Sequence, residues 1–402
     1  MNTIPSVEHD HGRWAIFLIF LRLGLTSFGG PVAHLGYFRN AFVVQRRWLS
    51  ERQYADVVGL CQLLPGPASS QVGIVLGLSR GGYGGALAAW LGFTLPSAVA
   101  LIVFALGITQ AEALPAGALH GLKLVAVAVV AQAVWGMACT LCPDARRRLL
   151  MAASSCFVLL VPSALGQMGA LAVAAGIGLL MFKPELADAH EPLALGIGRR
   201  TGLCWLVLCL ALLVGLPIVA AWWPSTTLSM IAAFYRAGAL VFGGGHVVLP
   251  LLQAEVVASG WVGNDLFLAG YGAAQAVPGP LFTFAAFLGA SMNQAPTGVW
   301  GGLICLVAIF TPAFLLVVGA WPFWEHLRGE LRLQAALQGL NAAVVGLLLA
   351  ALYDPVWTST VQTWQDLGLI LLALVALMRW KWPSWGVVLA SGVLCWLWQV
   401  AA

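Results

Sequence analysis

The stretch Leu64-Pro65-Gly66-Pro67-Ala68-Ser69-Ser70-Gln71 interrupts an otherwise apolar segment, and Val277-Pro278-Gly279-Pro280 interrupts another in the second half of the chain. Proline removes a helical amide donor and clashes with the preceding turn, while glycine lets the chain leave helical geometry, so each stretch predicts two half-helices around a break. Working outward from the two breaks, the same residues appear twice in the same order. Upstream, Phe20-Leu21-Arg22-Leu23-Gly24 matches Phe234-Tyr235-Arg236-Ala237-Gly238, Phe28-Gly29-Gly30 matches Phe242-Gly243-Gly244, Trp48 matches Trp261 and Gln62 matches Gln275. Downstream, Gly121-Leu122 matches Gly339-Leu340. This is an internal duplication, and two similar bundles that alternate access around one central site are a recurring architecture of secondary transporters.

Composition places the duplication in a bilayer. Only 8% of residues are charged and 61% are hydrophobic, too little charge to cover a soluble surface, where about a quarter of residues are charged. At 402 residues, and with ~20 needed per helical crossing, there is room for about a dozen hydrophobic elements and short loops, with no separate soluble domain. The first apolar segment begins at Trp14, after a polar stretch with His9, His11 and Arg13, and no cleavage-site pattern follows it, so it is expected to remain in the mature protein. The eight cysteines read mostly as small apolar residues. The net charge of +4 lies mainly in loops, where it reports on topology and not on a nucleic-acid partner.

Lys and Arg accumulate in short cytoplasmic loops. The loop after the first Phe-Gly-Gly carries Arg39, Arg46, Arg47 and Arg52, whereas its counterpart from Leu249 to Asp265 has no Lys or Arg and carries Glu255 and Asp265. Equivalent loops of opposite charge predict halves that face opposite sides. Apolar runs at 84–108, 119–141, 148–164 and 168–182 pair with 298–320, 334–353, 366–380 and 384–401, and an unpaired run at 201–221 lies between the sets. If that run crosses once and every broken element enters and leaves on one side, all basic loops become cytoplasmic: Arg146-Arg147-Arg148, Lys183 to Arg200, Arg328 with Arg332, and Arg379 with Lys381. The acidic positions Glu112, Asp354 and Asp366 then fall outside. The expected fold is all-α: a polytopic integral membrane protein with two inverted homologous repeats and discontinuous or re-entrant helices. Residues 14–182 are the first repeat, 183–228 a linker with the unpaired helix, and 229–401 the second repeat, giving about nine crossings and four re-entrant segments.

Unpaired backbone at membrane depth is tolerated only where protein or a water-filled cavity satisfies it, so the breaks mark the expected substrate site. Gly29 and Gly30, and Gly243 and Gly244, leave free amides at the start of the next helical turn, which is an anion site. Around Pro65, Gly66 and Gly279 one half-helix stops and another starts, with Ser69 and Ser70 placed to cap or donate; the alternative reading is a packing kink. Arg22 and Arg236 stand in apolar helices, where a cation is costly unless paired or hydrated, and a guanidinium fork suits tetrahedral oxyanions; the alternative is snorkelling to the interface. Lys123, which faces Asn341 in the repeat alignment, is a site residue or an interfacial anchor. Gln62 and Gln275 either donate to substrate or tie the broken backbone. His34 and His246 follow the glycines and are donors, proton carriers or structural residues. Cys139 and Cys142 have redox-type spacing without a second cysteine pair, Glu51 and Asp56 are positioned to pair with Arg47 or Arg52, and the tryptophans fit interfacial belts.

The runs Phe28-Gly29-Gly30-Pro31-Val32-Ala33-His34, Arg46-Arg47-Trp48-Leu49 and Gln62-Leu63-Leu64-Pro65-Gly66-Pro67 resemble the chromate ion transporter family. So do Phe242-Gly243-Gly244-Gly245-His246, Gln275-Ala276-Val277-Pro278-Gly279-Pro280 and Asn341-Ala342-Ala343-Val344-Val345-Gly346 in the second half. The resemblance is to the long, two-domain form and covers nearly the whole chain. It implies export of chromate across the inner membrane, chromate resistance, and sulfate as a chemically similar competitor, with no cofactor and no metal. One departure is that Phe42-Val43-Val44-Gln45 offers no acidic residue to match Glu255. Moving a dianion outward through an inside-negative potential releases ~4.6 kcal/mol per 100 mV, and the sequence offers no phosphate-binding GxxxxGK[ST] loop. The competing expectations are transport of sulfate or another anion, a passive anion channel, and a membrane-embedded reductase using Cys139 and Cys142. A homo-oligomer is compatible with all of them.

Overall fold

The computed structural model describes residues 12–110, 115–183, 193 and 195–401; His9, His11, Glu112 and the middle of the Lys183–Arg200 stretch lie outside the described residues. Among the described residues no strand forms. The first repeat contains α1 (Arg13–Thr26), α2 (Gly30–Arg39), α3 (Glu51–Leu63), α4 (Ala68–Gln110), α5 (Ala116–Leu141), α6 (Ala145–Leu160) and α7 (Ala164–Met181), and α8 (Arg199–Trp222) follows. The second contains α9 (Thr226–Leu240), α10 (Val248–Val256), α11 (Asn264–Ala274), α12 (Phe284–Ala290), α13 (Gly298–Ala320), α14 (Trp324–Leu327), α15 (Leu331–Ala351), α16 (Trp364–Met378) and α17 (Ser384–Ala401).

Glycine and proline shape the first repeat into two hairpins. Between α1 and α2 the chain reverses at Gly29 and Gly30, whose φ values of 98° and 77° favour glycine, and Pro31 opens α2. A capping box from Ser50 and Gln53 starts α3, which stops at Pro65-Gly66-Pro67. α4 is not one rod: Gly81 and Gly82 leave helical geometry, and the chain folds back so that Gly77 meets the Gly85 carbonyl with no room for a side chain. The 68–80 arm thus returns to the side from which α3 came. Arg80 donates to the Trp48 carbonyl at 3.0 Å and lies over the Trp48 ring, Arg39 pairs with Glu51 at the exposed feet of both hairpins, and Phe20 packs on Phe38 and Phe42 between the arms. Both broken elements enter and leave on one side.

The second repeat repeats the plan. α9 reverses at Phe242-Gly243-Gly244 into α10, and α11 reverses at Pro278-Gly279-Pro280 into α12. Asn293 donates to the Trp261 carbonyl at 3.0 Å, which brings the feet of the second hairpin together. Gly289 meets Gly301 as Gly77 meets Gly85.

Helix directions show that the repeats are inverted. Gly24 lies against Phe93, and Gly238 against Ile309, so α1 and α9 each dock on the equivalent partner, the 83–110 arm and α13. Those two partners pack on one another antiparallel: Trp90 meets Phe310 at 5.6 Å, Ile102 lies against Gly302 and Leu106 against Gly298. The repeats also exchange partners, since α5 packs on α16 and α17 while α15 packs on α6 and α7. Gly121 accordingly abuts the Ser391 carbonyl and Gly339 abuts Ala174 and Gly178. α8 has no counterpart and packs on α9 and α13, with the Tyr235 hydroxyl donating to the Cys209 carbonyl at 3.0 Å.

The charged ends agree with this inversion. Arg328 reaches Asp56 at 3.4 Å and so sets the start of α15 beside the basic feet of the first repeat; Lys123 reaches Asp265 at 2.9 Å and sets the start of α5 beside the feet of the second. One face therefore collects Arg39, Arg46, Arg80 and Arg328, and the other Asp265, Asp354 and Asp366, the charge contrast expected of a cytoplasmic first face. Among the described residues, five helices are long and apolar enough to cross a bilayer by length and composition: α5, α8, α13, α15 and α4, of which the 83–110 arm alone has the length after the break at Gly81 and Gly82. α6, α7, α16 and α17 span 16, 18, 15 and 18 residues, roughly 22–27 Å at 1.5 Å per residue, a little short of the ~30 Å hydrocarbon core.

Candidate functional site

The four breaks meet where the repeats cross. The Gly66 amide donates to the Val241 carbonyl at 2.7 Å, and the Gly279 amide donates to the Ser27 carbonyl at 3.0 Å. Val241 immediately precedes one Phe-Gly-Gly element and Ser27 the other, so each Pro-Gly-Pro tip is bonded to the glycine tip of the opposite repeat. The glycine tips also touch: a Cβ at Gly30 would lie 3.9 Å from His246 Nε2, and one at Gly245 would lie 3.4 Å from Pro31. Because every hairpin turns at the junction, four helical segments start there and run outward, from Gly30, Ala68, Gly245 and Leu281. Their positive ends converge, which favours an anion.

Side chains around the junction are polar and buried: Ser27, His34, Ser69, Ser70, Gln71, Thr94, Ser97 and Thr283. Some satisfy one another. His34 Nδ1 lies 3.4 Å from Ser69 Oγ, Gln71 donates to the Pro65 carbonyl at 2.8 Å, His246 Nδ1 meets the Tyr271 hydroxyl at 2.8 Å, and Thr283 donates to the Pro280 carbonyl at 2.7 Å. Others have no protein partner among the described residues, namely Ser27 Oγ, His34 Nε2, Ser70 Oγ, Gln71 Oε1, Thr94 Oγ1 and Gln275 Nε2. Buried polar atoms are nearly always hydrogen-bonded. So many open valences around one junction leave room for water or a polar ligand to complete them. Gly29 and Gly243 are exposed, so the tips are not sealed off.

Of the residues singled out in the sequence, the structure brings together Gly29, Gly30, Pro65, Gly66, Ser69, Ser70, Gly243, Gly244, His246 and Gly279, with Gln275 one turn ahead of Gly279 and its carbonyl accepting from Ser384 at 2.9 Å. Asn341 is half-buried on α15, one turn before Val344, which packs against Gly243. Gln62 is exposed on α3, and Lys123 lies at the acidic face in its pair with Asp265.

Neither arginine hydrogen-bonds a break residue among the described residues. Gly24 and Gly238 hold α1 and α9 against their partners; at ~100° per residue, a side chain two positions earlier points to nearly the opposite side. Arg22 accordingly faces outward on the exposed stripe Trp14, Leu18 and Leu25. Arg236 points toward α10, where Glu255 grips it with two bonds, Nε to Oε1 at 2.7 Å and Nη2 to Oε2 at 2.6 Å. The partners missed in the sequence are Ser27, Gln71, Thr94, Ser97 and Tyr271 at the junction; Glu255 stands out in the sequence only as a loop acid without a first-half match, and its grip on Arg236 is seen in the structure alone. Ser27 and Gln71 flank the breaks directly, which is a legible signal; Thr94, Ser97 and Tyr271 reach the junction only through tertiary packing.

This fold and its junction define a polytopic membrane transporter built from inverted repeats. The chain belongs to the chromate transporter family, whose profile matches residues 14–181 and 228–396, one match in each repeat. It is 28% identical over 392 residues to a probable chromate transport protein of Synechococcus elongatus, covering 95% of this chain and 94% of that one. Chromate transport proteins of Pseudomonas aeruginosa and Cupriavidus metallidurans are each 28% identical, over 84% and 94% of this chain and 80% and 91% of their own lengths. No solved structure matches the chain.

Proposed function

We propose that the chain exports chromate from the cytoplasm across the inner membrane as a secondary transporter, and so confers chromate resistance, with sulfate as a competing dianion. The observation that carries this reading is the reciprocal bonding of Gly66 to Val241 and Gly279 to Ser27, which gathers four helix starts and several open polar valences at one inverted junction. A tetrahedral dianion there accepts from backbone amides at the glycine tips and from Ser70, His34 and His246. Arg22 and Arg236 each stand five residues before the junction, about 7.5 Å along their helices; Arg22 supplies positive potential without forming the contact shell, whereas the charge of Arg236 is balanced by Glu255. The relatives named as chromate transport proteins support the substrate, and the inside-negative potential supports outward movement, releasing ~4.6 kcal/mol per 100 mV for two charges.

The test is uptake of labelled chromate into inverted membrane vesicles with the potential clamped, with and without sulfate. Saturable chromate uptake that grows with an inside-positive vesicle potential is expected. Uptake of sulfate or an organic acid with chromate excluded assigns another substrate, and flux linear in chromate concentration assigns a channel.

A further inference from the structure

The first turn of α6 carries Arg146, Arg147 and Arg148, none of which serves the junction. Arg148 folds back, donating to the Asp144 and Pro143 carbonyls at 3.3 and 3.4 Å. Arg146 and Arg147, with Lys183 at the end of α7 and Gln338 on α15, line a cavity of about 570 Å³ whose other walls include Met181 and Phe182. Arg147 is held in place on three sides: it donates to Gln338 at 2.9 Å, pairs with Asp144 at 3.1 Å and lies over the Phe182 ring at 5.2 Å. Asp144 is committed as well, accepting the Arg147 amide at 2.9 Å at the start of α6, a bond that holds its carboxyl below the usual range. Arg146 and Lys183 are exposed and pair with no carboxylate among the described residues. Among the described residues, the cavity therefore carries two cations beyond its one neutralised pair.

Its surroundings select among anions. Leu149 and Leu180, on the adjoining turns of α6 and α7, are 72% and 87% exposed. The cavity also lies on the basic face, because Gln338 is about two turns into α15 and α15 starts beside the Arg328–Asp56 pair. A cationic cavity walled on its apolar side by Met181 and Phe182, with exposed Leu149 and Leu180 close to its lining residues in the chain, fits an amphiphile, whereas a free oxyanion gains nothing from the apolar side chains. Basic pockets of this kind on the cytoplasmic side suit anionic lipid headgroups.

We propose that this cavity binds the headgroup phosphate of an anionic phospholipid of the cytoplasmic leaflet. Arg146 and Lys183 supply the attracting charge, Arg147 is the oriented donor, and the acyl chains run along Leu149 and Leu180. The bound headgroup bridges α6 and α7 of one repeat to α15 of the other.

The test is native mass spectrometry of the detergent-solubilised full chain incubated with phosphatidylglycerol or phosphatidylcholine of equal acyl length. Wild-type protein is expected to retain phosphatidylglycerol preferentially, and Arg146→Gln/Lys183→Gln, which alters only exposed side chains, to retain it roughly thirtyfold less, as follows from two lost surface cations. The lipid-free melting temperature of the double variant should match wild type. Equal retention by the double variant, or equal retention of the two lipids, overturns the proposal. Displacement of the lipid by millimolar inorganic phosphate also overturns it, and assigns the cavity to a free oxyanion instead.

Discussion

The amide of Gly66 and the carbonyl of Val241 belong to different repeats and lie 2.7 Å apart, and the same bond recurs with the repeats exchanged between Gly279 and Ser27. Each donor glycine holds a conformation closed to other residues, with φ of 122° and 107°. An added Cβ would stand 3.0 Å from the Gln71 amide nitrogen and 3.2 Å from Ala313 at Gly66, and 2.9 Å from Ser97 Oγ at Gly279. Gly66→Ala and Gly279→Ala are each expected to cost about 1–3 kcal/mol in backbone strain and to abolish vesicle chromate flux at normal expression. Wild-type flux in either variant would separate the junction from transport.

The Arg236–Glu255 fork is half-buried, so removing one partner strands the other charge. Glu255→Gln is expected to lower stability by about 1–3 kcal/mol, and Arg236→Gln/Glu255→Gln to regain most of it. Thermal unfolding of the three proteins in one detergent decides this. Losses that simply add in the double variant would show that the two side chains act independently.

Arg22 has no ion pair among the described residues and faces outward, so Arg22→Gln should fold normally. If it lends only potential to the junction, chromate flux falls roughly tenfold, the effect of ~1.4 kcal/mol, and does not vanish. Unchanged flux removes Arg22 from the site, and complete loss at normal protein level makes it a direct ligand.

Much of this architecture was legible in the chain itself. The doubled Phe-Gly-Gly and Pro-Gly-Pro elements located the breaks, and the contrast between Arg39 to Arg52 and Glu255 with Asp265 predicted the inversion later seen in the antiparallel 83–110 arm and α13. The arginines were harder to place, because one-dimensional spacing put them near the breaks without saying which way they point. The clue lay two residues downstream, at Gly24 and Gly238, which mark the packed faces of α1 and α9. The Arg236–Glu255 grip joins two arms of one hairpin across a glycine turn. The reach of Thr94, Ser97 and Tyr271 to the junction depends on how whole helices dock, which local pattern does not encode.

Two pairs tie the repeats at opposite faces, and burial ranks them. Asp56 is buried beside Arg328, while Asp265 is 78% exposed beside Lys123. Asp56→Asn should cost about 1–2 kcal/mol, and Asp265→Asn less than about 1 kcal/mol, with the latter loss shrinking in high salt. Melting curves at two ionic strengths check both; the reverse order would contradict the burial argument.

All eight cysteines are free, and among the described residues no group of His, Cys, Asp or Glu is arranged to hold a metal. Wild type and Cys139→Ser/Cys142→Ser are both expected to show full chromate flux and to leave chromium in its original oxidation state, measured by absorbance of the recovered anion. Lost flux together with lost chromium reduction would point to redox chemistry.

The antiparallel pairing of two like halves has an energetic corollary. Interchanging the conformations of the halves yields the same shape pointed at the other compartment, so positions that match between repeats contribute equally to both orientations and cancel. Whatever resting bias the molecule has must come from what is unmatched: α8 lying on one half alone, Glu255 without a first-half twin, and the bare outer stripe around Arg22.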